Sequence, residues 1–376
     1  MPEFDLSAED ALRLNVLLAN QPQAIRVNES SMTLFGLLKD GEISIKLNPN
    51  CSDDRYLKQV RSLLSERALG NPAGYPLYLQ RWTRMGKMRD ESLNQLLKLG
   101  DPEAVFAVVC AEGLTDELAR RAWWASEEPE NARRMLQTEA VAEGRTGKLL
   151  ARYLVEYLPF ETETEAMIES VRVAMRPGLL SHPEREALWK KSVRKIPYLT
   201  GFIAADPDAL PGEMPHRSDL FTVRAALSSD QQPAAELLIK SLSEQGQQFL
   251  DACLRILAKP PTQDVITTTM EVLRRYYAAL RPSGDPDLTL AELQEEAARF
   301  TRSDPTLLSL IAKLPALRPE IEAMRILSGV GYGVLRPLLK GSSASGGLLR
   351  RKLESVLQGI AEQINLLLGK ATSSPG

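Results

Sequence analysis

The spacing of the apolar residues changes near residue 89, and this change constrains the fold of the chain most. Beyond it, alternating strand patterns disappear, and apolar residues recur at helical spacing in segments of roughly 10–15 residues. A Gly or a Pro interrupts the pattern at each break: 100–102, 113–115, 128–129, 143–144, 158–159 and 177–178. Because each segment is too narrow to bury its own apolar face, the helices must pack against one another. Stacked helical hairpins in a solenoid and an irregular bundle both meet this requirement.

Three helix starts carry local capping signals, in which a short polar side chain precedes a proline or lies three residues before a glutamate. They are Asp101 with Pro102, Ser181 with Glu184, and Thr289 with Glu292. A stretch rich in Pro, Asp and Gly at 205–217 marks the best internal boundary. After it, the spacing predicts helices over 218–228, 232–258, 264–280, 289–301, 305–313 and 319–335.

The N-terminal part has a different pattern. Residues 7–20 are typical of a helix with Ser7 as its N-cap, and its apolar residues are Leu12, Leu14, Val16, Leu17 and Leu18. Strand patterns at 24–27, 32–38 and 42–47 follow, with a turn at Lys39-Asp40-Gly41 that favours a hairpin. A helix over 53–68 and a further strand at 75–82 complete a small α+β domain with a short antiparallel sheet.

The chain is therefore predicted to be mainly α, with three domains. These are an α+β domain at 1–88, a helical-hairpin domain at 89–212 and a helical C-terminal domain at 213–376, which contains a flexible linker at 341–347 and a terminal helix at 348–368. The apolar residues of the terminal helix form one stripe: 349, 353, 356, 360, 364 and 367.

Two interpretations of the C-terminal region stay open. Six basic residues and no acidic residue lie between Glu322 and Glu354: Arg325, Arg336, Lys340, Arg350, Arg351 and Lys352. The terminal helix either docks onto its own domain through the stripe, which we favour, or attaches to a membrane surface or a partner.

The composition argues against most metal and histidine chemistry, since the chain holds 3 Cys and 2 His. Zinc sites need paired Cys or His ligands, and His182 and His216 both lie in proline-containing turns. The segment 143–148 resembles a phosphate loop but lacks a Ser or Thr after Lys148, and the glycines at 329–333 lack a preceding strand. We predict no catalytic residue, no metal and no cofactor, while paired carboxylates stay open.

Charge and cysteine usage indicate the compartment and exclude some partners. The start of the chain lacks the basic and apolar regions of a secretory signal, and three scattered cysteines fit a reducing cytoplasm. No apolar run is long enough to cross a bilayer. The net charge is −3 and residues 91–215 are acidic, so binding to nucleic acid is not expected.

The most distinctive local run is basic and contains one tryptophan. Its residues are Arg81, Trp82, Arg84, Lys87 and Arg89. This run is either a solvated interdomain connector held by salt bridges, which we favour, or a patch that binds an anion or an acidic partner, with Trp82 available for stacking. A second cluster, Trp123-Trp124, predicts one ring in the core and one against a neighbouring helix or solvent.

Five stretches together resemble the DsrS family, encoded in the gene cluster of sulfur-oxidising bacteria that also encodes reverse-acting dissimilatory sulfite reductase. They are ESSMTLFGLL (29–38), KLNPNC (46–51), GYPLYLQRWTRMG (74–86), LTDELARRAWW (114–124) and LVEYLPFETE (154–163), and the resemblance spans about residues 5–215. It implies a cytoplasmic accessory protein for the oxidation of stored sulfur, and it brings no active site with it.

Three functional hypotheses follow. The first is a non-catalytic accessory or scaffold protein of sulfur oxidation that binds another protein through grooves between helices. The second is an enzyme of unrecognised type that uses carboxylates or arginines in an interdomain cleft. The third is a regulatory module whose N-terminal helices and hairpin touch nucleic acid, against which the near-zero net charge of residues 1–90 counts.

Overall fold

The computed structural model describes residues 6–70, 90–228, 232–339 and 345–370. Of the described residues, 67% are helical, and a small three-stranded antiparallel sheet lies near the N-terminus, which confirms the mainly α prediction. Contacts within the chain group it into two compact units. Unit 1 comprises Met1–Tyr157 with Pro177–Leu179, and unit 2 comprises Leu158–Arg176 with Leu180–Gly376. The three predicted domains and their boundaries stay predictions.

Unit 1 begins with a helix, a three-stranded meander and a second helix. The predicted N-cap is confirmed, since Ser7 Oγ accepts a hydrogen bond from the Asp10 amide at 3.2 Å. The strands lie in the order β1-β2-β3, and the hairpin pairs Leu38 with Gly41. The elements are α1 (Ala8–Ala19), β1 (Ala24–Asn28), β2 (Thr33–Leu38), β3 (Gly41–Lys46) and α2 (Asp53–Leu69). The predicted strand at 75–82 lies outside the described residues.

Six helices complete the described part of unit 1. They are α3 (Asp90–Leu96), α4 (Pro102–Val109), α5 (Asp116–Ala125), α6 (Pro129–Met135), α7 (Glu139–Ala142) and α8 (Arg145–Tyr157). The predicted start at Asp101 is confirmed, because its side chain accepts the Glu103 amide at 3.0 Å and Pro102 opens the helix. An apolar cluster beneath the sheet joins Leu14 and Leu17 of α1 to Ile25, Leu34 and residues of α2.

The described residues of unit 2 form helices joined by loops, without a strand. Its helices are α9 (Thr164–Ala174), α10 (His182–Ser192), α11 (Ile196–Ala205), α12 (Leu220–Ala226), α13 (Pro233–Leu242), α14 (Glu244–Ala258), α15 (Gln263–Tyr276), α16 (Leu290–Ser303), α17 (Pro305–Lys313), α18 (Arg318–Leu327), α19 (Tyr332–Leu339) and α20 (Gly346–Leu367). Single turns of 3-10 helix lie at Leu158–Phe160, Ala278–Leu280 and Pro315–Leu317. Both predicted capping boxes, at Ser181 and Thr289, are present.

The prediction of one helix over 232–258 is wrong, because the chain breaks at Ser243. Ser243 adopts an extended conformation, and its hydroxyl oxygen accepts the Gly246 amide at 3.2 Å, which starts α14. A Cβ at position 246 would lie 2.0 Å from the Lys240 carbonyl oxygen, so this tight turn requires glycine.

The prediction of one helix over 319–335 is also wrong, because residues 328–331 separate α18 from α19. The glycines here serve close packing, in agreement with the interpretation that they do not form a dinucleotide site. A Cβ at Gly329 would lie 2.4 Å from Leu293, and one at Gly333 would lie 2.3 Å from the Pro286 carbonyl oxygen.

Candidate functional site

The predicted basic patch of Arg81, Trp82, Arg84, Lys87 and Arg89 lies outside the described residues. The hypothesis that this run binds an anion or an acidic partner therefore stays a prediction.

The segment that resembles a phosphate loop is the start of helix α8, and its amides already bind a carboxylate. Asp116 Oδ2 accepts the Arg145 amide at 3.1 Å, and Asp116 Oδ1 accepts the Thr146 amide at 3.0 Å. A Cβ at Gly144 would lie 2.3 Å from the Asp116 carboxyl carbon, so the glycine makes room for this contact. The anion-binding capacity of the helix N-terminus is thus used within unit 1.

One ring of the tryptophan pair lies in the core, as predicted, whereas the other contacts the sheet, a partner that the prediction does not include. Trp123 is buried and packs edge-on against Tyr153, with ring centroids 4.7 Å apart. Trp124 reaches the sheet instead, where its Nε1 donates to Glu42 Oε2 at 2.9 Å. The guanidinium of Arg26 lies 4.8 Å from the Trp124 ring centroid, so this cluster joins α5 to the sheet.

Each histidine contacts a residue close to it in sequence, and the cysteine Cys253 is buried. His182 is 80% exposed and lies 3.1 Å from Glu186 on its own helix. His216 Nδ1 lies 3.0 Å from the Arg217 carbonyl oxygen. Cys253 is buried, and burial raises the pKa of its thiol. Among the residues that the structure describes, no group of three or more His, Cys, Asp or Glu is placed to hold a metal ion.

Helix α20 docks onto unit 2 through its apolar stripe. The buried residues of the stripe are Leu349, Leu353, Leu357, Ile360, Ile364 and Leu367. The stripe differs from the predicted one at a single position, since Val356 is only half-buried and Leu357 takes its place. The C-terminal end is held by Arg217, whose Nη1 donates to the Leu366 carbonyl oxygen at 3.0 Å, and by Gln247, whose Nε2 donates to that of Leu367, also at 3.0 Å.

The six basic residues of the C-terminal region have different environments. Arg325 is buried and paired with Glu296, and Arg336 pairs with Asp287 at 3.0 Å. Lys340 lies outside the described residues. Arg350, Arg351 and Lys352 lie near the start of α20, and the last two are exposed.

A groove runs between α14 and α20 beside these three cations. The two helices are antiparallel, because Arg350 near the start of α20 donates to the Pro260 carbonyl oxygen, whereas the end of α20 meets Gln247 near the start of α14. The groove has a volume of about 450 Å³. Its lining residues are Leu254, Leu257, Ala258, Arg350, Arg351, Glu354, Leu357, Gln358 and Ala361.

The lining of this groove is partly apolar and partly charged. Leucine and alanine side chains from both helices form its apolar part, and arginine, glutamate and glutamine side chains from α20 line it as well. An apolar channel with charged edges between two helices is a common receptor for an amphipathic helix.

A second, larger depression in unit 2 is polar. Its volume is about 850 Å³, and it lies around the predicted boundary at 205–217. The charged lining residues are Arg185, Asp208, Glu213 and Glu244, and His182 lines the depression as well. Asp208 is engaged by Lys240 at 2.6 Å, and Arg185 donates to the Ala209 carbonyl oxygen at 3.3 Å.

The sequence prediction missed the groove, although part of its signal is visible. Residues 357 and 361 lie four apart, and 254 and 257 lie three apart, so each pair shares a helix face. The packing partner of either helix is a long-range property, and periodicity alone gives no information about which helices flank a groove.

No family model, curated protein or solved structure matches this chain. Across the described ranges, no helix is both long enough and apolar enough to cross a membrane.

Proposed function

We propose that this protein is a non-catalytic accessory or scaffold protein that holds a helix of a partner protein in the groove between α14 and α20. The groove itself supports this proposal most directly, because it combines an apolar lining from two helices with charged groups along α20. Such a surface gains free energy by excluding water from an apolar stripe and gains selectivity from the charged edge.

The length of the groove suits a short helical segment. Its lining along α20 extends from Arg350 to Ala361, which at 1.5 Å per residue is roughly 17 Å. That distance corresponds to about three helical turns. A partner helix of this length would present apolar residues at positions i, i+4 and i+7 to Leu254, Ala258 and Ala361, which line the groove and are not buried.

The resemblance to the DsrS family supplies the cellular part of the proposal. We propose that the partner belongs to the cytoplasmic machinery that oxidises stored sulfur. The basis is the set of five stretches within residues 5–215, whereas the groove lies in unit 2, so the two parts of the proposal have independent grounds.

A matched pair of variants tests the groove. Ala258 is exposed, lines the groove and is the last residue of α14, while Ala226 is exposed and is the last residue of α12. Ala258→Trp fills the groove with an indole, and Ala226→Trp places the same group elsewhere on unit 2. We expect partner capture from a native extract, followed by cross-linking and mass spectrometry, to fall at least tenfold for Ala258→Trp only.

The results separate the two parts of the proposal. Equal capture by both variants would exclude the groove as the binding surface. Cross-links from groove residues to proteins of sulfur metabolism would support the cellular role. Cross-links from the same residues to proteins of another process would exclude the role in sulfur oxidation and leave the scaffold function.

An enzyme of unrecognised type is the second candidate, and the polar depression of unit 2 favours it. The carboxylates of Glu213 and Glu244 lie in the same depression as Arg185, a composition that suits acid–base chemistry. If this depression is an active site, Glu213→Gln or Glu244→Gln abolishes turnover in a substrate screen, while Glu295→Gln on helix α16 does not. Equal turnover by all three would exclude it.

A further inference from the structure

We infer that the helix occupying the groove between α14 and α20 is acidic at the end that meets Arg350 and Arg351. The inference rests on the proposed function and adds the chemistry and orientation of the partner. It depends on how unit 2 distributes its charged side chains around the groove.

The end of the groove near the start of α20 is basic. Arg350 and Arg351 line it, Lys259 follows the lining residue Ala258, and the first turn of α20 contains no acidic residue. The opposite end, near Gln358 and Ala361, is lined by uncharged side chains. The groove therefore has a charged end and a neutral end.

Several other arginines of unit 2, though not all of them, form ion pairs with carboxylates. Arg217 contacts Asp219 and Glu320, each at 2.8 Å. Arg336 contacts Asp287 at 3.0 Å. By contrast, neither Arg350 nor Arg351 has an ion pair within the described ranges of the chain, although Glu354 lies one turn further along the same helix.

A carboxylate supplied by a partner would provide the ion pair that Arg350 and Arg351 lack within the described ranges. Arg351 is exposed, so its guanidinium is free to turn toward a bound helix. Contact with the apolar lining removes water from the neighbouring edge, which strengthens the attraction between the guanidinium and a carboxylate.

Glu354 restricts where the partner's acidic residues can lie. It lines the groove between the two arginines and Gln358, so an acidic partner residue at the middle of the groove would meet a like charge. Acidic residues are thus attracted at the basic end, repelled at the middle and neither attracted nor repelled at the neutral end, and this asymmetry favours one direction of a partner helix.

Three synthetic helical peptides test the inference by fluorescence anisotropy with the full-length protein. All three carry the same leucine stripe, with two glutamates at one end, two glutamates at the middle, or two lysines in place of the end glutamates. We expect the end-glutamate peptide to bind at least roughly tenfold more tightly than the other two, and its affinity to fall as salt is raised.

Charge reversal on the protein supplies the matched control. Arg351→Glu should weaken binding of the end-glutamate peptide roughly tenfold and strengthen binding of the lysine peptide, whereas Arg302→Glu, an equal change of net charge on helix α16, should alter neither. Circular dichroism of both variants establishes that they remain folded.

Several outcomes would overturn the inference. They are equal affinity for the glutamate and lysine peptides, binding of none of them, and binding to vesicles containing anionic lipid in place of the end-glutamate peptide. If the three peptides bind with equal affinity and Ala258→Trp weakens all of them, the groove still binds helices and only the charge inference fails. If no peptide binds and Ala258→Trp leaves partner capture unchanged, the proposed function fails too.

Discussion

In unit 1 a buried carboxylate is held by neutral donors, whereas in unit 2 two nearly buried guanidinium groups share one carboxylate. Asp10 of α1 is fully buried. Its Oδ2 accepts the Tyr56 hydroxyl at 2.5 Å and the Asn48 amide at 2.8 Å, while the nearest guanidinium nitrogen, of Arg13, lies 3.9 Å from Oδ1. Asp10 thereby ties α1 to α2 and to the segment after β3.

The cluster in unit 2 is centred on Glu296 of α16. Its carboxylate contacts Arg281 at 2.6 Å and also pairs with Arg325. Only 8% and 6% of these arginine side chains are exposed. Arg325 also donates to the Leu280 carbonyl oxygen and lies 3.9 Å from the Phe300 ring centroid. By contrast, Arg281 Nε has no hydrogen-bond partner in the part of the chain that the structure describes.

The difference shows that the loss of stability on removing a buried charge depends on the charge of the groups that remain buried without a partner. Loss of Asp10 leaves uncharged donors without an acceptor, which costs the desolvation of a hydroxyl and an amide. Loss of Glu296 leaves two cations with no counter-charge, which costs more. Loss of Arg281 removes an excess positive charge, so its effect should have the opposite sign.

The largest expected effect is that of Glu296→Gln. The substitution leaves Arg281 and Arg325 buried side by side without a carboxylate, and we expect the free energy of unfolding to fall by about 3 kcal/mol. Chemical denaturation together with hydrogen exchange of peptides from α16 and α18 measures the loss. Glu295→Gln, at the neighbouring exposed position, is the control and should change stability by less than about 0.5 kcal/mol. Equal effects of the two variants would contradict a structural role for the cluster.

Asp10→Ala should have the next largest effect, a loss of about 2–3 kcal/mol, because the Tyr56 hydroxyl and the Asn48 amide both lose their acceptor. Burial, together with the hydrogen bond to Asp10, raises the pKa of Tyr56, so its hydroxyl keeps its proton and acts as the donor. Tyr56→Phe removes one donor and should cost about 1 kcal/mol. Faster hydrogen exchange should be confined to α1, α2 and the sheet. A larger effect of Tyr56→Phe than of Asp10→Ala would contradict this arrangement.

Arg281→Met is expected to leave stability unchanged or raise it by up to about 1 kcal/mol. Burial lowers the pKa of Arg281, which indicates that its charged form is disfavoured in this position, and methionine of similar length fills the space without a charge. Comparing the thermal unfolding of Arg281→Met with that of Arg325→Met distinguishes the contributions of the two arginines. The Arg325→Met variant also loses the Leu280 and Phe300 contacts and should therefore be destabilised. A loss above about 2 kcal/mol for Arg281→Met would refute the idea that the cluster carries excess charge.

Features of the fold that depend on neighbours in sequence could be predicted. The capping boxes at Ser181 and Thr289 depend on residues three apart, and the hairpin depends on a short turn before Gly41, which has φ of +149°. The stripe of α20 follows from spacing along one helix. In each case the physical cause lies within a few residues of its effect.

Features that depend on distant contacts could not be predicted. Leu12 and Val16 fit the apolar pattern of α1 as well as Leu14 and Leu17 do, yet they are 65% and 55% exposed, since the sheet covers only the other face. The break at Ser243 interrupts an otherwise helical apolar spacing. The Glu296 cluster joins residues 15 and 29 positions apart, and no local pattern identifies such pairs.

The smallest expected effect concerns an exposed carboxylate of unit 1, which contrasts with the buried charges above. Two hydrogen bonds from the Arg120 side chain, each 2.8 Å long, together with one from Arg121, lower the pKa of Glu117 to about 2. In the unfolded chain a glutamate has a pKa of about 4.3, so Glu117 stabilises the fold above that pH, and its contribution is lost as the pH falls toward 2. Since the side chain is 50% exposed, the contribution should stay below about 1 kcal/mol.

Glu117→Gln should therefore lower Tm slightly at pH 7, and the gap in Tm between this variant and the unsubstituted protein should narrow between pH 4.5 and pH 2. A gap that stays constant to pH 2.5 would show that the arginines stabilise the fold through packing rather than through this carboxylate.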